Sequence, residues 1–152
     1  MTSVPIKIVR LHPQAKFPKR WTGSAIGYDL HALLLSETGH PIKRALSVRD
    51  TVNIPTGLAI ELPPGYFGFV TSRSGLAKNS ISVTNSPGLI DPDYRGEIMV
   101  MLYNGSNFTH WIEHDMRIAQ LIIMPETRSH IVEVKELSKT ERGAAGFGST
   151  GR

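Results

Sequence analysis

Residues 48–84 read VRDTVNIPTGLAIELPPGYFGFVTSRSGLAKNSISVT, and the punctuation of this stretch decides the fold class. Four short runs, Val48 to Ile54, Leu58 to Leu62, Tyr66 to Thr71 and Ile81 to Thr84, are apolar or alternate. Pro55 and Gly57, then Pro63, Pro64 and Gly65, then Asn79, separate them. Runs of that length between turn formers are strands, and no helical period competes with them. Only Ser74 to Asn79 reads as a brief helical turn.

The same rhythm continues outward on both sides, with Ile6 to Leu11 and Tyr28 to Leu35 before it and Ile98 to Tyr103, Ile118 to Met124 and His130 to Val134 after it. The chain is therefore expected to be all-β. Ten Pro and fourteen Gly fit many tight turns, and the spacing favours a sandwich, jelly roll or small barrel over a parallel α/β sheet. Two runs, residues 98–102 (IMVML) and 121–124 (LIIM), are apolar on both faces. A second layer covers one face of each, and a contact between identical subunits would cover the other. A covering of the strand by its own loops is the alternative.

At 152 residues the chain is long enough to bury a core as one domain, and it has no cysteine, so disulfides, thiolate metal sites and thiol nucleophiles are excluded. The apolar stretches fall far short of the ~20 residues that cross a bilayer, and Met1 to Arg10 has no signal-peptide core. The expectation is a cytoplasmic protein, or one in host cytosol or nucleus should a virus encode it. The formal charge is +4, but the basic residues are scattered. Lys16, Lys19 and Arg20, and Lys43, Arg44 and Arg49, read as a solvated rim, so charge alone selects no partner.

The densest chemistry lies in residues 85–97, NSPGLIDPDYRGE. Pro87 and Gly88 suit a tight turn whose backbone groups can read the edge of a base, and Asn85 offers a donor and an acceptor. Asp91 follows an apolar pair that would anchor it, which suits a general base for a water. A surface turn around Pro92 is the plainer account of Asp91 and Asp93. In residues 71–77, TSRSGLA, a strand runs into a helical turn whose amides could meet an anion, with Arg73 as a fixed fork of donors. Ser72 or Ser74 capping the turn explains the same residues. Arg117 and Gln120 in RIAQL bring polar groups to a buried strand, for a ligand or a structural ion pair. The tail from Arg142, RGAAGFGSTGR, cannot bury enough surface to hold itself folded, and is a linker or a lid.

Each motif alone has an ordinary structural explanation. Together, AIGYDL (Ala25 to Leu30), SRSGLA (Ser72 to Ala77), NSPGLIDPDYRGE (Asn85 to Glu97), RIAQL (Arg117 to Leu121) and RGAAGFGSTG (Arg142 to Gly151) resemble the five ordered motifs of trimeric dUTPases. The resemblance spans nearly the whole chain. It implies a jelly-roll-like β-barrel over 1–137, a Gly-rich C-terminal arm over 138–152, and a homotrimer in which the arm closes a neighbouring active site. It also implies hydrolysis of dUTP to dUMP and pyrophosphate, keeping uracil out of DNA and supplying dUMP for dTMP synthesis.

On that resemblance Asn85 and the backbone of Gly88 would read uracil, and Tyr94 would pack beneath deoxyribose and exclude a 2′-hydroxyl, with Leu89, Ile90 and Met99 in the same substrate-binding set. Asp91 would hold the 3′-hydroxyl and orient the attacking water. Arg73, Ser74, Gly75, Gln120, Arg142, Gly148, Ser149 and Thr150 would cradle the phosphates, and Phe147 would stack on the base. Asp29 and Arg117 would organise the site from behind, and Mg2+ would arrive on the triphosphate.

Ile26, Ser72 and the pair Asp115-Met116 depart from the pattern, where a small Ala, a Pro and Gly-Asp are usual. A dCTP deaminase would need a glutamate where this chain has Met101, and a thioether moves no protons. A non-catalytic nucleotide sensor would have little use for both Asp91 and Phe147. Stable nucleic-acid binding is not expected, since it calls for several exposed aromatics interleaved with basic residues, and no membrane partner is expected.

Overall fold

A computed structural model of the chain describes residues 3–145. It is built from eleven strands and one helical turn: β1 (Lys7–Arg10), β2 (Tyr28–His31), β3 (Lys43–Leu46), β4 (Thr51–Pro55), β5 (Leu58–Glu61), β6 (Tyr66–Thr71), α1 (Ser74–Ala77), β7 (Ile81–Val83), β8 (Gly88–Ile90), β9 (Met99–Asn104), β10 (His110–Glu113) and β11 (Arg117–Pro125). The all-β expectation is met. A closed barrel is not: the strands form four separate antiparallel sheets, ordered β1-β5, β10-β3, β2-β11-β6-β8 and β4-β9-β7.

Alternation along the strands explains the layers. In β4, Val52 and Ile54 point inward while Thr51 and Asn53 face water, and in β9 Val100, Leu102 and Asn104 are buried while Met99 is exposed. The core collects Leu30, Leu46, Ile54, Leu58, Val100, Leu102, Ile112 and Ile118, all fully buried. Burial of such aliphatic side chains at roughly 1.5–3 kcal/mol each is the main force holding the sheets together. Asn104 is buried too, and it is satisfied: its amide donates to the carbonyls of Leu46 at 3.0 Å and Phe108 at 2.7 Å, and its Oδ1 accepts from Ser106 N at 2.9 Å. Leaving such a group unpaired would cost about 1–3 kcal/mol.

Three differences from the sequence expectation have local causes. The run at Val48 becomes a strand only at Thr51, because Arg49 takes a left-handed conformation (φ 61°) and the Asp50 amide donates back to Ser47 O. The run from Tyr28 stops pairing as β2 at His31, after which Leu33 N bonds Pro55 O and Leu34 N bonds the His114 ring. His130 to Val134 forms no strand, and Ile131, Val132 and Val134 are exposed. No other strand among the described residues offers them a ladder of hydrogen bonds.

The two-faced apolar runs also look different in one chain. Their inner faces are buried or, at Ile123, packed half-buried against the core, but Met99 and Met124 are exposed and Met101 and Ile122 are only half-buried. Within the single chain the second face is left without cover.

Candidate active site

The four-stranded sheet β2-β11-β6-β8 sets the geometry. Its register places Asp29 on β2 opposite Gln120 on β11, and Gln120 opposite Thr71 on β6. One step along β6, Val70 lies opposite Gly88 on β8. The motifs around Asp29, Arg73, Gly88 and Gln120 therefore meet at one end of one sheet.

Asp29 is the centre of the first group, its side chain only 3% exposed. Arg73 Nε donates to its Oδ1 at 3.0 Å, Arg117 Nη1 to its Oδ2 at 3.2 Å, and Gln120 Nε2 to its Oδ1 at 3.3 Å. Burial by itself raises the carboxyl's pKa. The hydrogen bond and charge of Arg73, the hydrogen bond of Gln120 and the charge of Arg117 outweigh it and hold the group below its ordinary value. Two guanidinium charges face this one carboxylate, so the cluster keeps a positive surplus that suits an anion. Beyond Arg73, Leu76 N and Ala77 N bond the Arg73 carbonyl, while the preceding amides of Ser74 and Gly75 take no partner among the described residues.

The second group lines a cavity of about 170 Å³ formed by Val70, Asn85, Gly88, Leu89, Ile90, Asp91, Tyr94, Glu97, Ile98 and Met99. Seven of the eight residues that the resemblance assigned to nucleoside and water are here, namely Asn85, Gly88, Leu89, Ile90, Asp91, Tyr94 and Met99; the eighth is Phe147. β8 is the edge of its sheet, so one side of its backbone has no neighbouring strand among the described residues and offers its polar groups to a planar heterocycle. The cavity wall does not include Arg73, Gln120, Asp29 or Arg117. Arg142 is exposed in a segment without strand or helix, and Phe147, Gly148, Ser149 and Thr150 lie outside the described residues.

Val70, Glu97 and Ile98 line the cavity although the sequence reading gave them no role. Val70 was within reach, since alternation along β6 buries Gly68 and Val70 on one face. Trp21 is the other unread residue. The segment Lys16 to Trp21 interleaves basic and aromatic side chains, but the chain's own cations already stack on the rings. Arg10 lies 4.1 Å from the Phe17 centroid, and Lys19 and Arg117 lie 5.1 and 4.8 Å from that of Trp21. Trp21 thus packs on the same Arg117 that grips Asp29.

Two of the departures from the family pattern have structural roles. Ser72 Oγ accepts the Val83 amide at 2.8 Å, tying the loop before α1 to β7. Asp115 adopts a left-handed conformation (φ 65°) that glycine takes with less strain, and its carboxylate pairs with Lys16 at 2.5 Å. Ile26 is exposed, and nothing in the structure explains it.

The chain is similar to known proteins over nearly its whole length. The dUTPase family model matches residues 14–151. The deoxyuridine 5′-triphosphate nucleotidohydrolase of Nautilia profundicola is 47% identical, covering 97% of this chain and 99% of its own. That of Helicobacter hepaticus is 43% identical, covering 99% of this chain and 91% of its own. A solved structure of a single-residue variant of the dUTPase from phage 80alpha superposes with a TM-score of 0.81 at 25% identity, covering 95% of this chain and 98% of that one.

Proposed function

The chain belongs to the dUTPase family, and from that premise we propose that it hydrolyses dUTP to dUMP and pyrophosphate at the site just described. One observation carries the reading: Asn85, Gly88, Asp91 and Tyr94 converge on a single cavity at the open edge of β8.

Uracil enters against the β8 edge, where the Gly88 backbone and the Asn85 amide supply matched donors and acceptors, and a cytosine amino group would face a donor. Tyr94 walls the sugar side, so a 2′-hydroxyl is refused by crowding. Asp91 holds the 3′-hydroxyl and accepts a proton from the attacking water. The water oxygen bonds to the α-phosphorus, the bond from that phosphorus to the bridging α–β oxygen breaks, and the electron pair leaves with pyrophosphate. Arg73, Ser74, Gly75, Gln120, Arg142, Gly148, Ser149 and Thr150 cradle the phosphates, Phe147 stacks on the base, and Asp29 holds Arg73 and Arg117 in place.

Magnesium fits as a companion of the nucleotide. Among the described residues no three carboxylates or imidazoles gather into a metal cage, and an ion that keeps most of its waters and binds phosphate oxygens needs none. Bound with the nucleotide, it would supply positive charge against the triphosphate.

The site is completed by other copies of the chain. Asp29, Arg73, Arg117 and Gln120 are not among the residues lining the cavity that holds Asp91, and the uncovered apolar faces of β9 and β11 supply a contact surface. The assembly is a homotrimer whose C-terminal arm closes a neighbouring site.

Pyrophosphate release with magnesium tests the activity. It should be far faster from dUTP than from dCTP, dTTP or UTP, and ammonia release from dCTP would overturn the assignment. Asp91→Asn should bind dUTP with turnover reduced by about a hundredfold or more. Turnover at the wild-type rate would remove Asp91 as the base.

A further inference from the structure

We propose that Gly96 is a specificity-determining position: by carrying no side chain it seats the Tyr94 ring, and so sets how much room the cavity leaves beside the sugar. The inference rests on the dUTP reading above.

Tyr94 folds back over its own loop. Its hydroxyl donates to the Glu97 carbonyl at 2.9 Å, and the ring lies so close to Gly96 that a Cβ there would stand 2.6 Å from Cζ and 3.0 Å from Cε2. Carbon atoms in contact sit about 3.5–4.0 Å apart, so ring and methyl cannot both keep their places. Backbone conformation does not explain the glycine, because Gly96 is not among the residues with positive φ.

The loop cannot easily yield. Glu97 Oε1 accepts the Gly57 amide at 2.6 Å, Ile98 N donates to Leu58 O at 2.8 Å, and Thr56 Oγ1 donates to Ile98 O at 2.7 Å. On the other side Arg95 Nη1 donates to the carbonyls of Pro92 and Tyr94 at 2.7 and 2.9 Å. The free coordinate is the Tyr94 side chain, which is 43% exposed and can swing toward solvent. A methyl at 96 therefore breaks the bond to the Glu97 carbonyl and moves the ring off the cavity wall. Asn85 and Gly88, which face the base, are untouched by that motion.

The two kinds of selectivity separate the effect from general damage. With kcat/KM measured for dUTP, UTP and dCTP, Gly96→Ala should lower the dUTP-to-UTP ratio by about tenfold or more and leave the dUTP-to-dCTP ratio within about twofold. In a Tyr94→Ala background, adding Gly96→Ala should change the sugar ratio no further, since the glycine acts only through the ring. An unchanged sugar ratio, both ratios falling together, or an additive double variant overturns the proposal. Should Gly96→Ala fail to fold, the double variant, which has no clash, decides alone: it must fold and match Tyr94→Ala in the sugar ratio. Absence of dUTP hydrolysis by the wild type would instead overturn the activity itself, and is visible before any variant is made.

Discussion

Asp29 shows how one buried charge can organise several exposed ones. Its carboxylate accepts from Arg73, Arg117 and Gln120, and removing one partner of such a buried set leaves charges uncompensated, at a cost of about 3 kcal/mol or more. Asp29→Asn should lower stability at pH 7 by roughly that amount, measured by urea unfolding. The sign with pH follows from the direction of the shift. The folded pKa is depressed, so the ionised group stabilises the fold above the unfolded carboxylate value of about 3.9 and loses that contribution as pH falls through the folded pKa. The gap between wild type and variant should narrow as the medium is acidified below about pH 4. A gap independent of pH would mean that packing, not charge, is what Asp29 supplies. Sequence spacing could place Asp29 near the site only by family resemblance. Its partners lie 44, 88 and 91 residues away, and nothing local signals a contact at such separations. Trp21 on Arg117 was unread for the same reason.

The corner between β4 and β5 connects two different sheets, since β4 pairs with β9 and β5 with β1. Gly57 makes the corner possible. Its φ is +67°, its carbonyl accepts from Leu11 N at 2.8 Å, and a Cβ there would lie 2.5 Å from Leu33 Cδ2 and 2.8 Å from Ala15 Cβ. Gly57→Ala should cost about 2–4 kcal/mol, the sum of left-handed strain and overpacking. Gly39→Ala is the control: φ is +79° but nothing lies within 4 Å of its Cβ position, so it should lose only the backbone share of about 1–2 kcal/mol. Equal losses in a thermal or urea titration would refute the packing part. β4 was legible because alternation repeats within it, and β9 because a short continuous apolar run bounded by turn formers reads as a strand. β3 and β10 were not, because Lys43-Arg44-Ala45-Leu46 and His110-Trp111-Ile112-Glu113 each bury a single residue and are recognisable as strands only through their pairing with each other. β8 was read as a turn because Gly88 begins it. His130 to Val134 had the composition of a strand without a partner, and composition cannot supply one.

The whole molecule carries more apolar surface than one chain can cover. Met99, Met101, Ile122 and Met124 continue along the outer faces of β9 and β11, and Ile131, Val132, Val134 and Leu137 stand exposed in the segment after the last described strand. Apolar surface of that extent is ordinarily a binding surface. For a trimer, sedimentation should report three copies of the 16.8 kDa chain, and Ile122→Lys, which places a charge on the uncovered face of β11, should shift it toward single chains. Loss of assembly should take activity with it, because the arginine cluster does not line the cavity that holds Asp91. Truncation before Arg142 asks the complementary question. The last strand among the described residues ends at Pro125, so on the reading of the arm as a lid, deletion of 142–152 should leave the sedimentation and unfolding midpoint unchanged. It removes Arg142, Phe147, Gly148, Ser149 and Thr150, and should therefore cut turnover of dUTP by about a hundredfold or more, as removal of a closing segment does when it excludes water and completes the phosphate cradle. A truncated trimer with full activity would show that the arm closes nothing. An arm whose loss dissolves the trimer would be part of the subunit contact, and the lid would have to be sought elsewhere.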